Sequence, residues 1–333
     1  TKAYEIQGSL CLGTSLNKLG YDHVFYVKIA SGSVFSYLVN KGDSNAIRRT
    51  VNNVLLDGPS LRAYRHFPNV GKRKSWAAAD ASKRAIELSL ISSHKDEIYE
   101  SVQTEDKWGF EKNFLDNSEL EFGKDLNNWV IQNVLFKVLF PAEFHGQSAV
   151  EAAIGLSDEF NQNINMLEKV NIYTHEPAMR IISNKDILKN PSDRDHSLEY
   201  MVAAALLYGD LKYEMYEESF HGFEKINNLR KKIFVTEEPQ FTKDYYEFSK
   251  RHISNSIEIV YNDNSTSEKI TIENPIGHPS RRDEAVPLLK EKFLRNVKSI
   301  FDNEKALEVW DKIINLKKDD NLSVFFNILI ENE

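Results

Sequence analysis

The densest chemistry in the sequence lies between Arg62 and Trp76. There Arg62, Arg65, His66, Lys72, Arg73 and Lys74 place six basic or imidazole side chains within thirteen residues. The run leads into Ser75-Trp76-Ala77-Ala78, which reads as the start of a helix. A helix N-terminus offers free N–H groups and the positive end of its dipole, so the location suits carboxylates or other small anions. A solvated surface loop has the same composition. Two histidines stand apart from the run: His23 at the turn Gly20-Tyr21-Asp22-His23, and His145, which follows Phe140-Pro141-Ala142-Glu143-Phe144. Imidazole has the ordinary pKa best placed for proton transfer near neutrality. A second basic turn, Gly277-His278-Pro279-Ser280-Arg281-Arg282, offers two planar guanidinium forks of the kind that grip carboxylates.

Other chemistries lack their residues. No HExxH, CxxC or EF-hand pattern occurs, so no metal site is expected, and no GxSxG elbow, Walker loop or dinucleotide fingerprint is present. His175-Glu176 and His196 have no standard ligand spacing and read as structural. Cys11 is the single cysteine, which excludes a disulfide framework and an iron–sulfur cluster held by cysteines of this chain alone. The net charge of −8 argues against nucleic acid as a partner, because phosphate binding needs a broad basic surface. The apolar run Ala203-Ala204-Ala205-Leu206-Leu207 is far short of the ~20 residues that span a bilayer, so no membrane partner is expected.

These groups need elements to hold them. Residues 1–135 read as mostly helical, with an amphipathic stretch from Ala3 to Lys18. A second helix runs from Asn45 to Leu56, capped by Ser44 and closed by Asp57-Gly58. A third, capped by Ser75, carries Ala77, Ala81 and Ala85, whose small side chains permit close helix packing. Pro59 to Lys74 is the loop between them. After Pro141 the pattern changes. Ser148–Asn161 and Asp195–Leu207 read as helices, the second started by Asp193, whereas Val170–Thr174 alternates like a strand. Ile257–Tyr261 and Lys269–Ile272 flank Asn262-Asp263-Asn264-Ser265 as a hairpin. Leu288–Ile300, Glu304–Leu316 and Leu322–Ile330 are helical again. The expected fold is therefore α with an inserted α+β domain: helices over 1–137, an α+β lid over 138–280, and 281–333 returning to the helical domain.

Four segments resemble the MmgE/PrpD family, in order and at similar spacing. They are Arg73-Lys74-Ser75-Trp76-Ala77-Ala78, Phe140 through Ala153, Asn190-Pro191-Ser192-Asp193-Arg194-Asp195-His196, and Pro275-Ile276-Gly277-His278. The resemblance runs along essentially the whole chain. It implies a helical domain with an inserted α+β lid, a site between the two, a homodimer, and no iron–sulfur cluster or other cofactor. It also implies a native chain longer at its start, carrying a further aspartate and histidine of the site. His23 and Lys74 look like active-site residues of the family, and His145 and Gln147 align with a segment that holds another active-site histidine. Many relatives have His-x-His there. His145-Gly146-Gln147 is similar to the methylcitrate branch rather than to the cis-aconitate decarboxylases.

The implied reaction is metal-independent loss of water from 2-methylcitrate to give 2-methylaconitate, a step of propionate catabolism. The alternatives are a related lyase such as a cis-aconitate decarboxylase, or an inactive carboxylate-binding fragment. On the dehydratase reading, Lys74 with Arg65 or Arg73 binds carboxylates, His23 or His145 supplies the acid or base, and Arg281 and Arg282 clamp a distal carboxylate. The Asn- and Lys-rich style resembles fungal members, which are mitochondrial; a non-fungal source points to the cytoplasm.

Overall fold

A computed structural model of the protein describes residues 1–66, 68–94, 98–183, 187–317, 320, 321, 323, 326 and 327. The helix expected over 322–330 lies largely outside them. The chain divides into two compact units, one of Thr1–Val134 with Leu188–Arg194, the other of Leu135–Ile187 with Asp195–Glu333.

The first unit is helical. Its elements are α1 (Lys2–Gly13), α2 (Val24–Val39), α3 (Ser44–Asp57), α4 (Arg73–Ile91), α5 (Phe110–Phe114) and α6 (Trp129–Asn133). Helix α2 is central and packs on α1, α3 and α4. Close approach is possible because Gly32 faces Thr50 and Ala85, and Ala77, Ala81 and Ala85 are buried on α4. Leu10, Phe25, Ile29, Val54 and Leu88 fill the core, and Phe25 stacks on Phe110 at 5.0 Å. Each such buried side chain contributes about 1.5–3 kcal/mol. The α1 helix stops earlier than its apolar pattern, because Gly13 lies against the Glu121 backbone, and a short 3-10 turn over Leu16–Leu19 follows. Buried Glu5 binds the segment 124–131 to α1 by accepting from the N–H groups of Val130 at 3.1 Å and Ile131 at 2.8 Å.

The expected caps are corrected. Asp43, not Ser44, caps α3, accepting from Asn45 N–H at 2.9 Å, while Gly58 closes it at φ 66°. Ser75 does not cap α4 but lies in its first turn, where its hydroxyl donates to the Lys72 carbonyl. The separate segment Leu188–Arg194, with the single turn α9 (Pro191–Arg194), belongs to this unit, and Asn190 donates its side-chain N–H to the Val70 carbonyl at 3.1 Å.

The second unit has a four-stranded sheet in the order β2-β1-β3-β4, built from β1 (Leu167–Thr174), β2 (Ile233–Glu237), β3 (Asn255–Tyr261) and β4 (Ile270–Ile272). β1 runs parallel to β2 and antiparallel to β3, and β3–β4 is the expected hairpin. Alternate residues of β1 are buried, with Val170 and Ile172 fully so. Between Thr174 and the second strand run α8 (Glu176–Ile182), α10 (Leu198–Tyr208) and α11 (Phe223–Arg230), apart from the α9 segment. Helix α7 (Gln147–Gln162) packs on α10, β3 and β4. Every residue of α10 from Leu198 to Leu206 is buried, so its apolar run serves a protein core. Its cap is Ser197, which accepts from Tyr200 N–H; Asp193 instead accepts from Lys189 N–H. Helix α12 (Pro239–Tyr246) follows β2, and α13 (Arg282–Val297) and α14 (Asn303–Ile314) end the described chain. These last helices group by contact with the sheet-bearing unit, so neither 137/138 nor 280/281 separates the compact units. The reason is local: α13 packs on the segment 135–138, where Lys292 donates to the Lys137 carbonyl and Arg282 covers the Phe136 ring at 3.8 Å. The protein is thus mostly helical with one small mixed sheet.

Candidate active site

Two clusters of titratable groups stand out, one in each unit. In the first unit the turn before α2 carries Asp22 and His23. Asp22 is fully buried; one carboxylate oxygen accepts from Val24 N–H at 3.0 Å and the other from Arg65 Nε at 2.5 Å. Burial pushes the Asp22 carboxyl up, but the hydrogen bonds from Arg65 and Val24, with the nearby Tyr64 hydroxyl, outweigh it and hold the group below the usual range. Arg62 then reaches His23 Nδ1 at 3.2 Å and Asn17 at 2.9 Å. Because guanidinium only donates, Nδ1 is the acceptor, and neutral His23 carries its proton on Nε2. Burial lowers the His23 pKa most; Asp22 opposes, and Arg65 and Arg62 add to the lowering. Arg73 stacks on Trp76 at 4.5 Å and over Tyr64 at 5.3 Å, and lies 3.9 Å from Asp80. Lys74 is half-buried in the first turn of α4. The loop expectation thus resolves into a 3-10 turn at Ala63–Arg65, tied to the His23 turn by ion pairing and to α4 by aromatic stacking.

A cavity of about 240 Å³ opens beside this cluster. Lys28, Asp57, Ser60, Arg73, Asp80 and Arg84 line part of it. Arg84 grips Asp57 through two hydrogen bonds of 2.7 and 3.1 Å, and Lys28 donates to the Gly58 carbonyl at 3.2 Å. Burial lowers the Lys28 pKa, with Asp57 opposing.

In the second unit, His145 lies in a 3-10 turn leading into α7. Glu143 accepts from its backbone N–H and faces Nδ1 with both oxygens, at 2.9 and 3.0 Å. Nε2 lies 3.2 Å from the Tyr245 hydroxyl on α12. Burial alone would push the Glu143 carboxyl up, but its contacts with His145 hold it down at about 2. His175 is fully buried, 5.4 Å ring to ring from His145 and stacked on Tyr245 at 4.8 Å with planes 12° apart. Its Nδ1 donates to the Ser254 carbonyl at 3.3 Å, and its Nε2 is buried with no hydrogen-bond partner among the described residues. Burial, aided by repulsion from His145, pushes the His175 pKa down to about 4.

The remaining expected ligands are engaged within the protein. Gln147 is buried and spends its side-chain N–H groups on the carbonyls of Phe140 and Ala142, at 2.9 and 2.8 Å, so it shapes the turn that carries His145. Arg281 is bound to Glu151 at 2.8 and 3.0 Å, to the Asn274 carbonyl at 2.8 Å, and to Glu284 at 3.0 and 2.8 Å. Arg282 covers Phe136. In this arrangement Arg281 does not offer the open fork expected of a carboxylate clamp. Arg65, likewise, directs Nε at Asp22. The sequence reading gave no individual role to Arg62, Asp22, Glu143 and Tyr245, and it read His175 as structural. Glu143 was two residues from His145 and could have been found as its partner; nothing local to α12 points from Tyr245 to a histidine a hundred residues away.

Among the described residues no group of three or more His, Cys, Asp and Glu side chains is assembled to hold a metal ion. What the clusters offer is cationic binding of a small anion and proton transfer through imidazole, the parts of an acid–base catalyst for an anionic substrate. Residues 1–123 match the MmgE/PrpD N-terminal domain and residues 140–317 the MmgE/PrpD C-terminal domain, and the chain belongs to this family. Its relatives include the 2-methylcitrate dehydratase of Escherichia coli (strain K12), 42% identical over 314 residues, with 92% of this chain and 65% of that protein covered. The mitochondrial 2-methylcitrate dehydratase of Yarrowia lipolytica is 38% identical over 331 residues, covering 97% of this chain and 64% of the relative. The 2-methylcitrate dehydratase of Cupriavidus necator is 40% identical over 299 residues, with 89% and 62% covered. The chain therefore spans slightly under two thirds of the length of these relatives.

Proposed function

We propose that the protein acts as a 2-methylcitrate dehydratase, eliminating water to give 2-methylaconitate without a metal ion. The observation that carries the reading is 38–42% identity to proteins of that name along 89–97% of the chain. The clusters fit the chemistry. A carboxylate barely acidifies its neighbouring C–H, so the developing aci-carboxylate needs fixed positive charge and hydrogen-bond donors. Lys74 and Arg73 supply the charge. Neutral His23, with Nδ1 held by Arg62, supplies a donor at Nε2. His145, backed by Glu143, handles the proton: it takes one as the C–H bond breaks and returns one to the departing hydroxyl, while the carboxylate stabilises the imidazolium between.

In the test, the 333-residue chain is mixed with 2-methylcitrate and the absorbance of the new conjugated C=C bond is followed, with the E. coli enzyme as positive control. Product formation supports the reading. A folded chain that gives no product while the control does overturns it for this chain. The same assay with cis-aconitate, read as carbon dioxide, distinguishes the related decarboxylation. The mitochondrial Yarrowia relative supports a mitochondrial location for a fungal source, and we infer a homodimer as the working assembly.

A further inference from the structure

We propose that Tyr245 completes a carboxylate–imidazole–phenol relay, and that His145 exchanges its proton with substrate through the Tyr245 hydroxyl. The inference rests on the dehydration reading and deepens it. Glu143 is an acceptor only and faces Nδ1 with both oxygens, so the neutral His145 ring carries its proton on Nδ1. The lone pair is then on Nε2, 3.2 Å from the Tyr245 hydroxyl, which donates to it. The order of groups is that of a nucleophilic triad, with a phenol in place of the alcohol. Tyr245, like His145 and Glu143, is half-buried; with Nδ1 of His145 facing Glu143 and Nε2 facing the phenol, the phenol is the end of the chain of groups and the member that meets a ligand. Its ring is fixed by the parallel stack on His175, which is itself anchored at Nδ1 by the Ser254 carbonyl.

The step balances without another base. As the substrate C–H bond breaks, its proton goes to the Tyr245 oxygen, the phenolic proton passes to His145 Nε2, and the electron pair remains on the substrate as the aci-carboxylate. When the C–O bond breaks, the phenolic proton goes to the departing hydroxyl, which leaves as water, and Nε2 returns its proton to the phenol. The charged and titratable groups around Tyr245 include Glu143 and His145, His175 stacked on its ring, Arg180 on α8, Tyr246 on α12 and Arg251 after it. Burial keeps the phenol protonated between steps.

Two measurements test the relay. In the ¹⁵N-histidine-labelled chain, with His145 assigned by His145→Gln, the neutral His145 ring should be protonated at Nδ1. Tyr245→Phe, which keeps the ring stack and removes only the hydroxyl, should move its Nε2 resonance. An Nε2–H tautomer in the unaltered chain, or an unmoved Nε2 in Tyr245→Phe, overturns the relay. In turnover, Tyr245→Phe should lower kcat on the order of 100-fold with KM within about twofold. The Tyr245→Phe/His145→Gln double variant should be no slower than His145→Gln alone, because members of one relay do not act additively. Losses that multiply overturn the proposal. A chain inert toward 2-methylcitrate fails the dehydratase reading instead, and the resonance experiment still decides the hydrogen-bond chain.

Discussion

Among single residues, His175 carries the plainest thermodynamic consequence. Its pKa is about 4 in the folded chain, against an ordinary 6.5. Between those values the unfolded chain binds a proton that the folded chain refuses, so stability falls as pH drops through 6.5 towards 4. The full loss from this group is about 3 kcal/mol, at about 1.4 kcal/mol per pKa unit. Half-buried His23 acts in the same direction, more weakly because water reaches its side chain, since its pKa is also lowered. Glu143 opens a second window: its carboxyl falls from 4.5 to about 2 on folding, so its contribution is complete above 4.5 and is lost as pH drops to about 2. His175→Phe should flatten the fall in Tm between pH 6.5 and 4 while leaving the steeper acid loss below it. An unchanged slope would remove His175 as its source. Lys74 offers a functional counterpart. Its half-buried place in the first turn of α4 suits a fixed cation, and Lys74→Ala should lower turnover on the order of 100-fold with an unchanged circular dichroism spectrum. Near-normal turnover in that variant would end its assigned role.

At the scale of elements, helix starts make the sharpest distinction. Asp43 and Ser44 are adjacent, and both residue types are good caps, so sequence preference cannot choose between them. The structure does: Asp43 sits outside the helix and accepts from Asn45 N–H, whereas Ser44 is the first helical residue. Asp43→Ala should therefore destabilise the chain by about 1 kcal/mol and Ser44→Ala by a few tenths or less, measured by denaturant midpoint. A larger loss at Ser44 than at Asp43 would favour the sequence assignment. The same ambiguity misplaced the start of α10, where Asp193 and Ser197 are both plausible and only Ser197 bonds into the helix. Elements with strong periodicity were legible: α3 and α7 within a residue, α4 within three at its start, the strand at 170–174, and the hairpin whose turn carries Asn264 at φ 64°. Strand β2 and helix α12 were missed. β2 is an edge strand of five residues with one buried position, so it shows little alternation, and α12 buries no residue fully.

For the molecule as a whole, motifs gave the family while chemistry gave only candidates. A residue's type and its neighbours in sequence do not reveal what it meets in space. Arg281 was read as an open fork and is held by Glu151, Glu284 and the Asn274 carbonyl. Tyr245 had no motif and lies on His145. Composition, by contrast, constrains the entire chain at once. An iron–sulfur dehydratase needs several thiolates, and this chain has Cys11 alone, so its residues cannot by themselves ligate such a cluster. On the proposed dehydratase reading, the charge stabilisation that a Lewis-acidic iron would provide is assigned to Lys74, Arg73 and the His23 donor, which are covalently part of the protein and cannot be chelated or oxidised away. If that division of labour holds, turnover of 2-methylcitrate should stay within about twofold after prolonged exposure to air and to excess EDTA, whereas a cluster enzyme treated alongside loses activity. Activity that is lost to EDTA and restored by iron or another divalent ion would place a metal at the centre of the reaction and displace Lys74 from the stabilising role argued for it.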